Sequence, residues 1–409
     1  MSKVLYLSYD GMCDPLGGSQ VLPYLVGLAE RGHQISLISF EKPGRTDAER
    51  QHVACACAEA GIAWHPLPYH KRPPVLSTML DVHRMRGFAK RLHRRVGFDL
   101  LHCRSYLTAL AGLSMKRRLG IPFIFDMRGF WADERVEGGL WNLRNPLFLA
   151  VYRYFKRREA EFLAEADQIV SLTQAGKDVI LGWRKDPDVG PPITVIPCCV
   201  DFDAFPAVDR GSREAARKRL GIAPNSRVAA YLGSLGTWYL SDEMLDFFRV
   251  QVEQDPNSFL LIVTRDRPEG ILASVRARGI AEDRVIVRPA SRSDVPKLIA
   301  AADYGLFFIK PVFSKLASSP TKMGEFLALE LPVVTNTGVG DVDRIVADTG
   351  GGVVVRAFDD IAYRDALREL DLLPVDKERW RAATRRWLDL DAGIDRYDAL
   401  YRTSTESLR

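Results

Sequence analysis

Long apolar runs are missing from these 409 residues. None approaches the roughly 18 residues of a bilayer-spanning helix, stretches such as 21–29 being broken by Pro, Gly or charge within about ten residues. An integral membrane protein is excluded on that ground. Met1-Ser2-Lys3 leads straight into the strand-like Val4-Leu5-Tyr6-Leu7-Ser8, without the apolar segment and small-residue cleavage site of a secretory signal. Cysteine is scarce: there are six, and neither Cys55-x-Cys57 nor the vicinal Cys198-Cys199 has a zinc or disulfide-framework spacing. Reduced thiols in a cytoplasmic protein are expected. Histidine is absent from most of the chain, all seven preceding residue 103, so the second half can supply no histidine base. No repeat or low-complexity tract interrupts the sequence.

Acidic residues are locally short as well. Residues 1–200 hold 27 Lys+Arg against 20 Asp+Glu, and the remainder 30 against 32. Most of the excess lies between Pro68 and Arg118, where twelve basic residues face only Asp81 and Asp99. A helix carrying Arg84, Arg86, Lys90, Arg91, Arg94 and Arg95 accounts for half of them. Such a face attracts an anionic partner. No nucleic-acid motif or stacking platform accompanies it; a solvated helix face is the plainer reading, and an anionic membrane surface meeting residues 71–118 the alternative.

Short β-branched or aromatic runs at 4–8, 34–40, 100–103, 122–127, 168–173 and 193–197 alternate with stretches of helical spacing. The rhythm restarts at 228–233, 259–264, 285–290, 304–310, 331–336 and 351–356. Two parallel sheets covered by helices on both faces follow, an α/β architecture. The proline-led segment from Ile196 to Phe205 has no helical period and marks a hinge. The expected domains are 1–202 and 203–389, and a C-terminal helix over about 390–409, rich in aromatic residues with Tyr397 and Tyr401, returns to the first.

Between the first strand and the next helix lie Gly17 and Gly18, in Asp14-Pro15-Leu16-Gly17-Gly18-Ser19-Gln20. Glycines there allow a close ligand approach or simply a tight turn. The G-x-G-x-x-G dinucleotide fingerprint is absent. The most informative stretch runs from Lys310 to Val334. It sets Ser318, Ser319, Pro320, Thr321 and Lys322 at a helix start, with Glu325 one turn on. Hydroxyls, N–H groups and Lys322 suit a diphosphate, and Glu325 a ribose diol. The plainer alternative is an N-capped amphipathic helix with a solvated Glu.

These residues, with the loop Gly17 to Gln20, the hinge Val195-Ile196-Pro197-Cys198-Cys199-Val200-Asp201, the helix Asp294 to Asp303, and Glu325 to Val334, resemble the nucleotide-sugar glycosyltransferases of the GT-B fold, in particular retaining family four. Glu325 to Val334 is similar to the family's E-A-x-A-x-G-x-P-V-V. The resemblance implies two Rossmann-like domains facing a central cleft, the nucleotide sugar on the second and the acceptor on the first. It implies sugar transfer with retention of configuration to a lipid-linked or cell-surface glycan precursor in polysaccharide biosynthesis, without metal or cofactor. Catalysis would rest on stabilising the leaving diphosphate and aligning both substrates.

Three departures accompany it. The first of the family's two Glu falls on Ala317, and its diphosphate-binding Arg and Lys fall on Ser234 and Tyr239. Lys322, with Arg265 or Arg267, is the expected replacement for the missing charge. The third lies in Asp126-Met127-Arg128-Gly129-Phe130-Trp131-Ala132-Asp133-Glu134, where Arg128 stands at the place of a histidine common in relatives. The donor set is thus Gly17, Gly18, Ser234, Arg265, Ser318, Ser319, Thr321, Lys322 and Glu325. His102, Asp126, Trp131 and Glu134 form the acceptor set, a structural histidine bonded to backbone being the favoured alternative for His102, with Arg128, Lys322 and Glu325 as the catalytic groups. The missing Glu and Arg/Lys pair motivate a second reading, a sugar-nucleotide-binding scaffold without transfer; a GT-B epimerase or hydrolase is a third.

Overall fold

The computed structural model describes residues 1–374 and 376–406, and residues 407–409 of the expected C-terminal helix lie outside them. The chain forms two compact units, Met1–Pro197 with the C-terminal segment from Leu390, and Cys198–Asp389. The division falls between Pro197 and Cys198, five residues before the sequence placed it.

In the first unit seven strands are all parallel: β1 (Lys3–Ser8), β2 (Gln34–Glu41), β3 (Ala63–Pro68), β4 (Leu100–Arg104), β5 (Phe123–Asp126), β6 (Gln168–Ser171) and β7 (Ile193–Val195). They lie in the order β3-β2-β1-β4-β5-β6-β7. Central strands β4, β5 and β6 are buried at every residue, as expected where helices cover both faces of a sheet. β3 escaped the sequence reading because its Ala-Trp-His-Pro-Leu-Pro has two prolines; it stands at the sheet edge, where missing N–H groups cost no ladder.

The expected turn 14–20 is a short helix, Pro15–Gln20, followed by Leu22–Glu30. On the latter docks the C-terminal helix Leu390–Glu406. Arg31 Nε donates to Asp395 at 2.9 Å, and His33 Nε2 lies 2.7 Å from Asp398.

The second unit has six parallel strands: β8 (Val228–Leu232), β9 (Phe259–Val263), β10 (Val285–Arg288), β11 (Tyr304–Leu306), β12 (Val333–Asn336) and β13 (Gly352–Val355). Their order is β10-β9-β8-β11-β12-β13. In both sheets the strand order therefore reverses beside the first strand, between β1 and β4 and between β8 and β11, the doubly wound arrangement whose ligands bind at the carboxyl ends of the strands flanking the reversal. Between β11 and β12 the helix Thr321–Ala328 is buried from Lys322 onward. Among the described residues no helix is long and apolar enough to cross a membrane.

Candidate functional site

In the second unit the reversal lies between β8 and β11, and the segments leaving their carboxyl ends lead to the helices Ser241–Gln254 and Thr321–Ala328. Thr321–Ala328 begins behind Pro320, and no side chain caps its start, so its first N–H groups and the positive end of its dipole remain for an anion. Lys322, the second residue, is 6 % exposed, and its Nζ makes no hydrogen bond. It lies 3.3 Å from the centre of the Tyr239 ring, 4.0 Å from that of Tyr231, and 3.5 Å from where Gly233 would carry a Cβ. Burial pushes its ammonium well below the usual lysine range, against a weaker opposing pull from Glu325. A desolvated cation–π contact returns about 2 kcal/mol. Taking an ammonium out of water costs several kcal/mol, so desolvation wins.

Glu325 is 4 % exposed and accepts a hydrogen bond at Oε1 from Arg292, which follows β10 and rests 4.8 Å from the centre of the Phe205 ring. A solvated carboxylate is thereby excluded, and one of the two oxygens expected to meet a ribose already has a donor. Ser234 Oγ lies 3.0 Å from both oxygens of Asp266, which also accepts from Leu235 N at 2.6 Å. Arg265, immediately before Asp266, is exposed. Ser319 Oγ accepts from Cys198 N at 3.1 Å, and Ser318 closes the short turn Phe313–Ala317. Ser318, Ser319, Thr321, Lys322 and Glu325 thus share one turn and helix, with Gly233 opposite Lys322. Ala317, at the place of the missing Glu, is 2 % exposed.

The first unit gathers a second polar cluster at the carboxyl ends of β4 and β5. His102 Nδ1 lies 2.8 Å from Tyr401 Oη and its Nε2 3.4 Å from Asp126 Oδ2, which accepts from Tyr397 Oη at 3.2 Å. Asp126 Oδ1 accepts no hydrogen bond; Arg128 Nη1 is 3.9 Å from it. Arg104 Nε donates to Asp10 Oδ2 at 3.3 Å. Burial drives His102 below the ordinary imidazole range although Asp126 opposes it. Burial also works to raise Asp126, but Arg128, His102 and Arg104 together hold it below the usual carboxylate range. A neutral histidine beside an ionised carboxylate results.

Of the expected acceptor residues, His102 and Asp126 are each 1 % exposed, and Glu134 is half-buried. Trp131 does not present open ring faces: Tyr106 stacks on it at 5.8 Å, Phe155 and Trp141 meet it edge-on, and Arg135 lies 4.9 Å away. Gly17 serves close packing, since a Cβ there would fall 2.2 Å from Gly11 O; Gly18 is not so confined. Arg292, Tyr231, Tyr397 and Tyr401 were missed as site residues. The aromatic tail signalled packing, yet which hydroxyl meets which acid follows only from the docked helix. Among the described residues no group of three or more His, Cys, Asp or Glu is arranged for a metal.

Residues 20–204 match the model described as Glycosyltransferase Family 4. The fold is GT-B, and the likeness is to that family. A D-inositol 3-phosphate glycosyltransferase of Segniliparus rotundus is 28 % identical over 300 residues, covering 72 % of this chain and 62 % of the relative. The chain thus spans less than two thirds of that relative's length. Sucrose-phosphate synthase from Thermosynechococcus elongatus superposes over 99 % of this chain and 100 % of its own, with a TM-score of 0.76 and 15 % identity. Anabaena HepE, solved with UDP and glucose, covers 98 % and 99 %, with a TM-score of 0.69 and 14 % identity. At those identities the likeness to the solved structures concerns the fold.

Proposed function

We propose that this protein is a glycosyltransferase of the family-four kind, moving a sugar from a nucleotide diphosphate to an acceptor hydroxyl with retention of configuration. The observation that carries the reading is Lys322: an enclosed amine without a hydrogen bond, at an uncapped helix start beside the sheet reversal, has no partner among its own neighbours and suits a diphosphate. Ser318, Ser319 and Thr321 add hydroxyls and backbone, Glu325 takes the ribose through its remaining oxygen, and Arg265 adds exposed positive charge. The bond from the anomeric carbon to the phosphate oxygen breaks as that to the acceptor oxygen forms, and the departing phosphate receives the acceptor's proton. In the first unit Arg128 is the proposed catalytic group, with Asp126, His102 and Glu134 as the proposed acceptor residues.

The relative's name, an inositol phosphate glycosyltransferase, and the UDP and glucose held by HepE support a UDP-sugar and a polyol or glycan acceptor. The cation-rich helix Leu76–Val96 suits peripheral attachment to an anionic membrane carrying a lipid-linked acceptor. The test is calorimetry against UDP, GDP, dTDP, ADP and their common sugars, followed by transfer assays with whichever binds. Metal-independent binding of one nucleotide, weakened at least about tenfold in Lys322→Met, is expected; no binding to a folded sample overturns the reading. Tight binding without turnover across a broad acceptor panel favours instead the non-catalytic reading, motivated by Ala317, Ser234 and Tyr239.

A further inference from the structure

The groups facing Lys322 Nζ are the rings of Tyr231 on β8 and Tyr239 after it, the backbone at Gly233, and Glu325 one turn along its own helix. The two nearby carboxylates are engaged elsewhere, Glu325 by Arg292 and Asp266 by Ser234 and Leu235. Among the described residues no carboxylate hydrogen-bonds Nζ, so only the weaker pull of Glu325 favours an ammonium at this position, and the rings exclude the water that would solvate it.

Resting on the diphosphate reading of the site, we propose that Lys322 is a neutral amine in the free protein and takes up one proton when a nucleotide sugar binds. The diphosphate brings the negative charge the site lacks, which favours the ammonium over the amine. The amine gains the proton from solvent and no other bond changes. Tyr239 is the positioning residue: its ring covers Nζ and keeps it dry, so that protonation waits for the anion. Donor affinity then falls as pH rises between the free and bound pKa of Lys322, by up to about tenfold per pH unit.

Titration calorimetry of the full chain near neutral pH, in buffers of different ionisation enthalpy, counts the protons. The probe is whichever of UDP-glucose, GDP-mannose, ADP-glucose and dTDP-glucose binds, because their diphosphates are diesters that do not titrate near neutrality. About one proton taken up per molecule bound is expected. Tyr239→Ala admits water to Nζ and should bind the same probe with little uptake. Lys322→Met should show none and bind at least about tenfold more weakly. Binding without proton uptake, or equal uptake in wild type and Tyr239→Ala, overturns the proposal while leaving the donor site standing. Failure of every probe to bind overturns the donor reading and this inference with it.

Discussion

Arg292 donates through Nη1 to Glu325 Oε1 while its guanidinium lies 4.8 Å from the centre of the Phe205 ring. The contact fixes the carboxylate and leaves Oε2 for a ligand. Glu325→Ala should weaken nucleotide binding by about 1–3 kcal/mol if the diol bonds are charge-assisted. Arg292→Ala should cost about 1 kcal/mol of stability, since the arginine side chain is 44 % exposed and the pair is partly screened. Calorimetry and urea unfolding measure the two, and an unchanged dissociation constant in folded Glu325→Ala would refute the ribose assignment.

Acid should destabilise the first unit before its carboxylates titrate. Burial holds His33, His65 and His102 below the ordinary imidazole range, so between each folded value and the unfolded value of about 6.5 the unfolded chain binds more protons. Stability is full above that value and declines as pH falls beneath it. Urea midpoints at about pH 7.5 and 5.5 bracket the window. A midpoint that stays level or rises on acidification contradicts the sign.

Tyr397→Phe removes the hydroxyl that donates to buried Asp126 Oδ2 and should destabilise by about 1–3 kcal/mol, the cost of a buried acceptor losing a donor. The same substitution at exposed Tyr154 is the control. Equal urea midpoints for the wild type and Tyr397→Phe would show that the tail's hydroxyl bears no load at Asp126.

Glu330 occupies a left-handed conformation, φ 61°, at the position where the resembled motif has glycine. Glu330→Gly removes a strain of about 1–2 kcal/mol and gives back about 1 kcal/mol of unfolded-state freedom. A stability between unchanged and about 1 kcal/mol higher is expected from denaturant midpoints. A clear loss would mean that the glutamate side chain contributes more than its backbone costs.

On the helix Leu76–Val96, Leu76, Met79 and Leu80 are 64 %, 62 % and 43 % exposed one turn from a run of basic residues. Burial and the crowding of Arg118, Arg86 and Arg94 hold Lys90 below the usual lysine range. Sedimentation with phosphatidylglycerol vesicles, but not phosphatidylcholine, should be strong at low salt and fall with added salt. Arg91→Glu and Arg94→Glu should each weaken it by about 1 kcal/mol or more. Partition that ignores both lipid charge and salt excludes this surface as the contact.

Periodicity alone revealed both sheets, because strands buried on both faces must be apolar throughout, and twelve of the thirteen strands among the described residues can be read that way. Only the edge strand, with its prolines, hid itself. Hydroxyls, Lys322 and Glu325 were legible as a group because they share one helix start, where residue order is also spatial order. Their partners were not. Tyr231 and Tyr239 reach Lys322 from another strand's exit, Arg292 reaches Glu325 from a third, and Tyr397 and Tyr401 arrive at His102 and Asp126 from roughly 300 residues away. Sequence spacing fixes neighbours within one turn of helix, whereas the order of strands in the sheet decides which loops meet. That tertiary order, and the exclusion of water it brings, determines that Lys322 Nζ has rings but no hydrogen-bond partner and that Glu325 has one.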